Sequence, residues 1–396
     1  MEVLIMNESL LELRKFVVPE IIIGVDARLL IGRYISHFNS KRPMIVTDKG
    51  IQKLEWFQEI YHAIQAHTQA IYFFDDLTPN PKDFEAMSGA EMFLSHQCDL
   101  IIAVGGGSPI DCAKCISIVS ANGGNVLDYE GIDEIRMPGP PLICIPTTAG
   151  SSADVSQFAI IKDSVSSVKC AIISKKLVPD LALIDPVPLM TMNPYLTACT
   201  GMDALTHGIE AYVSNTHSAL TDVHALEAIK LINEVIEQSV LPNRTIETMF
   251  TLMLGSLQAG LAFSNASLGG IHAMAHSMGG LLDLPHGECN SVLLEHVIRL
   301  NFDSVPERFR TIGAQLGLNV DYCSDEELLE SMLQRIRSIR NNLHISPYIK
   351  VEELSDEILD YLVDNALNDP CMVTNPKALR AQEVRSIYGK VLQTQK

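Results

Sequence analysis

The stretch Asp99-Leu100-Ile101-Ile102-Ala103-Val104-Gly105-Gly106-Gly107-Ser108-Pro109-Ile110-Asp111 decides the fold. Leu100 to Val104 is an unbroken apolar run with no polar alternation. It predicts a strand buried on both faces, in a parallel sheet with helices on either side. The three glycines after it let the backbone turn sharply and come close to a ligand. Ser108 reads as a helix N-cap and Pro109 as the first helical residue. The free N–H groups and partial positive charge of such a helix start suit a pyrophosphate. The turn is not G-x-G-x-x-G, and a tight turn with no ligand would look the same in sequence.

Upstream, Ile21-Ile22-Ile23 is a short apolar run, and Pro43 to Asp48 reads as a strand ending in an acid. A helix is expected from Ile51 to Ala66, a strand over Ala70–Phe74 closed by Pro79-Asn80-Pro81, and a helix over Lys82–Ser95. Downstream, the strand Pro141–Pro146 runs into Thr147-Thr148-Ala149-Gly150-Ser151-Ser152, small hydroxyl-rich residues suited to hugging a polar ligand. Strands alternating with helices predict a Rossmann-like α/β domain on a parallel sheet. Asp48, at a strand end, is placed to accept hydrogen bonds from an adenosine ribose and to repel a 2′-phosphate. After the breaker Asp185-Pro186-Val187-Pro188 the pattern turns helical, as in Ser218–Ser239 and Asp325–Asn342. The expected division is an α/β dinucleotide-binding domain over 1–187 and an all-α metal-binding domain over 188–396.

The helical part carries Asp203 with His207, then His272 with His276, then His286 between Pro285 and Gly287. Residues four apart stack on one helix face, so each pair can grip one ion. His286 is expected to project from a turn. Oxygen and imidazole donors suit Zn, Fe(II), Mn or Ni. These five residues compete for about four positions on one ion, and spacing alone favours the His272/His276 pair. A lone buried histidine is more often a hydrogen-bonded core residue; two pairs and a third histidine beside a nucleotide turn tip the reading to a site. No Asp, Glu, Lys or Arg occurs from Thr248 to Leu282. A membrane span is long enough to fit there, but Ser256, Gln258, Ser264, Asn265 and the histidines would be costly in lipid, so core helices are expected.

The 396 residues imply two domains. A net charge of −19 excludes a nucleic-acid binder that works by phosphate neutralisation. Nine irregularly spaced cysteines, and an N-terminus without a signal-peptide pattern, point to a reducing cytoplasm. Cys112 and Cys115 form a C-x-x-C inside an expected helix and read as packing residues.

In order, the segments Gly105–Asp111, Pro146-Thr147-Thr148-Ala149-Gly150, Gly201-Met202-Asp203-Ala204-Leu205-Thr206-His207, His272-Ala273-Met274-Ala275-His276 and Pro285-His286-Gly287, with Asn375-Pro376 near the end, resemble the iron-containing (group III) alcohol dehydrogenases. The resemblance covers nearly the whole chain. It implies the dehydroquinate synthase-like fold of that family, with the active site between the two domains. It assigns Asp203, His207, His272 and His286 as ligands of Fe2+ (or Zn2+) and leaves His276 beside the nicotinamide as a catalytic residue. It implies NAD contacts from Asp48, Asn80, Gly106, Gly107, Ser108, Thr147, Thr148, Ser156, Phe158 and Lys169, and a substrate pocket at Phe263 and Cys371. It also implies a homodimer or larger homo-oligomer. The chain departs from the family at Ser151-Ser152-Ala153-Asp154, where relatives usually carry Thr after the glycine and Glu in place of Asp154.

The reaction this implies is hydride transfer between a primary alcohol and NAD, the ion acidifying the hydroxyl or polarising the aldehyde. Rival readings are a polyol or sugar-metabolism dehydrogenase on the same scaffold, a synthase using NAD transiently, a non-catalytic metal- and nucleotide-binding regulator, and a non-haem iron oxygenase. The intact donor set argues against the regulator. The glycine turn and the fourth ligand argue against the oxygenase.

Overall fold

The computed structural model describes residues 15–394; the N-terminal reading on signal peptides concerns residues outside these. Six parallel strands form the main sheet: β1 (Glu20–Ile23), β2 (Pro43–Val46), β3 (Tyr72–Phe74), β4 (Leu100–Gly105), β6 (Leu142–Pro146) and β9 (Leu181–Ile184), in the order β1-β9-β6-β4-β2-β3. Every residue of β2, β4, β6 and β9 is buried. Alternate side chains face opposite layers. Leu100, Ile102 and Val104 pack with α1 (Ile31–His37) and α2 (Glu55–Gln65), whereas Ile101 and Ala103 pack with α3 (Asp83–Ser95) and α4 (Gly107–Asn122). This is the two-faced burial that an unbroken apolar run requires. The expected helix at Ile51 opens instead as a 3-10 turn, Ile51–Lys53, before α2.

Neighbouring strands β2 and β4 lead into helices on opposite faces, α2 and α4. A crevice therefore opens beyond their carboxyl ends, the usual place for a ligand in an open α/β sheet. Helix α4 starts at Gly107 with Gly106 as N-cap, and no side chain caps it. Ser108 and Pro109 thus sit inside the first turn, two positions further along the helix than the sequence suggested. The glycines act through space rather than unusual torsion, since none of Gly105–Gly107 has positive φ. A Cβ on Gly107 would meet Ser151 Oγ at 2.9 Å.

A second sheet, ordered β5-β8-β7, joins β5 (Gly131–Ile132) to the antiparallel hairpin of β7 (Phe158–Lys162) and β8 (Lys169–Ile173). Pairing Ile160 with Ala171 and Lys162 with Lys169 puts Phe158, Ile160, Lys162, Lys169 and Ala171 on one face. That face becomes a wall of the cleft described below.

From Pro194 the chain is helical: α5 (Pro194–Val213), α6 (Ala219–Ser239), α7 (Ile246–Ala266), α8 (Gly270–Leu282), α9 (His286–Asn301), α10 (Pro306–Gln315), α11 (Asp325–Asn342), α12 (Asp356–Asn368), α13 (Pro370–Val373) and α14 (Ala381–Val391). A short parallel pair, β10 (Ile349–Val351) with β11 (Leu392–Thr394), is the one exception to all-helical structure among these described residues. Helix α7 is long and apolar enough to cross a membrane by length and composition. Here Met249, Leu252, Ala259, Ala262 and Ala266 are fully buried in the core it shares with α5 and α6. Its polar residues dock it to the α/β layer: Ser152 Oγ donates to the Ser256 carbonyl at 2.7 Å, and Gln157 Nε2 to the Ser264 carbonyl at 2.7 Å. Cys112 and Cys115 are fully buried packing residues in α4.

Candidate active site

Helix α5 carries Asp203 and His207 on one buried face, and α8 carries His272 and His276. His286 is the first residue of α9, with Pro285 as its N-cap, rather than a turn residue. A close approach makes this possible: a Cβ on Gly287 would lie 2.1 Å from the Cys199 carbonyl oxygen, so only glycine lets the start of α9 press against α5.

Three imidazole Nε2 atoms surround one carboxylate oxygen. Asp203 Oδ1 lies 3.9 Å from His207, 3.6 Å from His272 and 3.7 Å from His286. These separations exceed a hydrogen bond. They are a few tenths of an ångström longer than the edge of a tetrahedron about an ion with ligands at roughly 2.1 Å, about 3.4 Å, so a small contraction would let all four groups share one ion. One carboxylate and three imidazoles fit Fe2+ or Zn2+ in charge and chemistry. Burial alone would raise Asp203's pKa, but His207, His286 and His272 hold it well below the usual carboxylate range. Burial lowers His207 to about 3 against the pull of Asp203, and drives His286 well below its ordinary value. Both therefore present neutral rings with a lone pair to give, as metal binding requires.

The two histidines of α8 part company, contrary to what their spacing favoured. Their rings lie 68° apart, and His276 Nδ1 is 2.8 Å from Asp369 Oδ2. Asp203, His207 and His272 form one compact donor group; His276, Asp369 and Cys371 form another.

Three supporting residues went unread in the sequence. Glu210, one helical turn beyond His207, accepts from His272 Nδ1 at 2.5 Å and from the Ile271 N–H at 2.7 Å. It thereby orients His272 and caps α8, whose next orphan N–H, at Gly270, goes to Asn375 Oδ1 at 3.0 Å. Against burial, the Glu210 and Asp203 carboxylates raise His272 to about 9 in the absence of an ion. Asn290, one turn after His286, donates to Asp203 Oδ1 at 2.6 Å. Asp369 is the third.

The donors open into a cleft between the two layers. One side carries Asn80, Gly107, Ser108, Ser156, Phe158 and Lys169, with Asp111, Ser151 and Lys162 unforeseen among them; the other carries the five site residues with Phe263, Leu268 and Cys371. Phe263 stacks on His207 at 4.3 Å. Asp48, Gly106, Thr147 and Thr148 are not part of this lining. Asp48 lies just past β2, where one oxygen accepts from the Gly50 and Ile51 N–H groups at 2.8 and 2.9 Å. Asn80 spans the cleft mouth, its Nδ2 donating to Asp283 Oδ1 at 3.0 Å. Under the floor, the buried Lys114 Nζ donates to the Ser156 and Phe158 carbonyls at 2.8 and 2.7 Å. The uncapped first turn of α4, with Lys162 and Lys169 on the same cleft wall, is a ready anion site.

A buried carboxylate–histidine donor set faces an uncapped helix start across one cleft, an arrangement suited to an enzyme that uses a metal ion and a nucleotide together. Residues 19–186 match the family described as iron-containing alcohol dehydrogenase, and residues 197–392 its C-terminal part. The chain is 34% identical to 1,3-propanediol dehydrogenase of Klebsiella pneumoniae over 94% of this chain and 97% of that one. It is 37% identical to alcohol dehydrogenase 4 of Schizosaccharomyces pombe, over 89% and 82% respectively. A solved 1,3-propanediol oxidoreductase superposes with a TM-score of 0.90 at 34% identity, covering 96% of this chain and all of that one. The chain belongs to the iron-containing alcohol dehydrogenase family, and it is an NAD-dependent enzyme interconverting an alcohol and its aldehyde.

Proposed function

We propose that Asp203, His207, His272 and His286 hold one Fe2+ ion (Zn2+ suits the same donors), and that the substrate is a small, uncharged primary alcohol. The observation that carries this is the convergence of three Nε2 atoms on Asp203 Oδ1 at the wall of a cleft whose other wall holds the start of α4. Such an ion supplies a Lewis acid for the hydroxyl or carbonyl oxygen. NAD is read as lying with its pyrophosphate at Gly107 and Ser108, its ribose toward Asp48 and its nicotinamide beside His276. Asn80, Ser156, Phe158 and Lys169 would line its path, with Gly106, Thr147 and Thr148 shaping the turn behind.

Phe263, Leu268 and Cys371 give the metal end an apolar wall that excludes water and offers no partner to a charged substituent. Relatives named for 1,3-propanediol and methanol act on alcohols of this size. His276 would hold the nicotinamide or pass a proton toward solvent.

A cytoplasmic setting is supported by nine free cysteines, eight of them buried. A homodimer or larger oligomer is supported by apolar Val18, Val25, Leu29 and Leu30, all more than a third exposed, beside the edge strand β1. The net charge of −19 disfavours nucleic acid, and the burial of α7 disfavours a membrane role. The test is NAD reduction by protein purified without oxygen, across methanol, ethanol, 1-propanol, 1,3-propanediol and choline, with metal content measured in parallel. Turnover of the small neutral alcohols in proportion to iron or zinc is expected. Turnover by metal-free protein, or preference for choline, would overturn the reading.

A further inference from the structure

We propose that Asp369 is a positioning residue for His276, fixing its ring so that Nδ1 carries a proton and Nε2 faces the cleft; this rests on the reading of His276 as the residue beside the nicotinamide. The two side chains meet at 2.8 Å and are both 8% exposed. A carboxylate only accepts hydrogen bonds, so the nitrogen it touches must be the protonated one. That leaves Nε2 of the neutral ring as an acceptor toward the ligand space.

The carboxylate is itself held. Asp369 is the N-cap of α13, with Pro370 as first helical residue, and its Oδ1 accepts from the Cys371 N–H at 2.8 Å while Oδ2 is given to His276. On its other side the His276 ring lies parallel to that of His286, 14° apart with centroids at 5.2 Å. The ring is thus caught between a fixed carboxylate and a second imidazole. The segment Asp369-Pro370-Cys371 performs two tasks, since Cys371 forms part of the cleft wall.

His276, Asp369 and Cys371 are also close enough together to suggest a second metal site. The distances argue against it. Two ligands of a tetrahedral ion at roughly 2.1 Å stand about 3.4 Å apart, whereas Nδ1 and Oδ2 are 2.8 Å apart, the distance of an N–H···O hydrogen bond. Burial, reinforced by Asp369, also pushes the Cys371 thiol well above its ordinary range, which keeps it protonated.

The experiment compares Asp369→Asn, His276→Ala and the double variant in the metal-loaded enzyme. Asparagine caps a helix about as well as aspartate, so α13 is spared. It can present an amide N–H to Nδ1, however, and so release the opposite tautomer. Asp369→Asn is expected to lower kcat at least about tenfold, with metal content, melting temperature and NAD affinity retained. In the His276→Ala background it should add less than about a twofold effect, because two residues acting as one unit are not additive. In metal-free protein, a low-field imidazole N–H proton resonance should vanish in His276→Ala and shift or vanish in Asp369→Asn. That arm needs no turnover, so it separates failure of this pairing from failure of the reaction assignment. Additive losses in the double variant, loss of a metal equivalent in Asp369→Asn, an unchanged kcat, or a resonance indifferent to Asp369 would each overturn the proposal.

Discussion

Replacing Glu210 by glutamine removes one charge and leaves the shape of the site. Glu210 and His272 are 2% and 1% exposed, and the carboxylate accepts from both His272 Nδ1 and the Ile271 N–H. With Nε2 committed to an ion, Nδ1 must carry its proton and needs an acceptor. The glutamine amide has one oxygen for these two donors, so its NH2 must face either the imidazole N–H or the first turn of α8. One buried donor is stranded whichever way it turns. A hydrogen bond to a charged group contributes about 1.5–3 kcal/mol, which at roughly 1.4 kcal/mol per tenfold is about one to two decades in affinity. Loss of an outer partner of a metal-ligating histidine typically costs about 10–100-fold, so both routes give the same range. Competition between metal-free protein and a chelator of known zinc affinity reads this directly, and the melting temperature of the metal-free variant controls for misfolding. An affinity within about twofold of the parent, well inside that range, would sink the argument that Glu210 acts through His272.

His286→Ala should lose metal and turnover while still binding NAD, whereas His276→Ala should keep its metal and lose rate; metal analysis beside cofactor fluorescence separates them. Asp48→Gly should gain activity with NADP as like-charge repulsion goes, and should also melt earlier, because Asp48 caps the turn at Gly50 and Ile51 at a typical worth of about 1 kcal/mol. Asp48→Asn should relax cofactor choice with less loss of stability, and steady-state kinetics with both cofactors decide this. Burial lifts the Asp154 carboxyl from 3.8 to about 6 despite the nearby Lys114. Between those values the folded state holds a proton that the unfolded chain has released, so this group's contribution to stability is full below about pH 4 and is lost as pH rises through 6. The loss approaches about 3 kcal/mol by pH 8. More than half of that loss has already occurred by pH 5, so Asp154→Asn should gain on the parent by about 1.4 kcal/mol more at pH 8 than at pH 5 in denaturant titrations. A gap that does not change with pH would count against it.

How much of this was legible depended on whether a residue's role is set by its own segment. The run Leu100–Val104 can only be a central strand, so the parallel sheet followed from it and from the helices between strands. The hairpin of β7 and β8 was not seen, because Phe158–Lys162 and Lys169–Ile173 mix lysines with apolar residues on a face that turns inward only once a cleft exists. The start of α4 was misplaced because Ser108 has the chemistry of a cap, while Gly106, which holds the cap position, has no side chain to signal it and is pressed against Thr148, remote in sequence. Asp203, His207, His272 and His286 were visible as residue types, but their division from His276 depends on Asp369, remote in sequence. Glu210 and Asn290 left a usable signal: each lies three or four residues past a ligand on the same helix, the spacing that shares a face.

The uncharged run through α7 and α8 has a practical side. No lysine or arginine occurs between Arg244 and Arg299, nor between Lys176 and Lys230. Trypsin therefore releases His272, His276 and His286 on the single fragment Thr245–Arg299, and Asp203 with His207 on Leu177–Lys230. Peroxide reacting at an iron held by these side chains should mark those two fragments, so one mass spectrum can show where the ion sat.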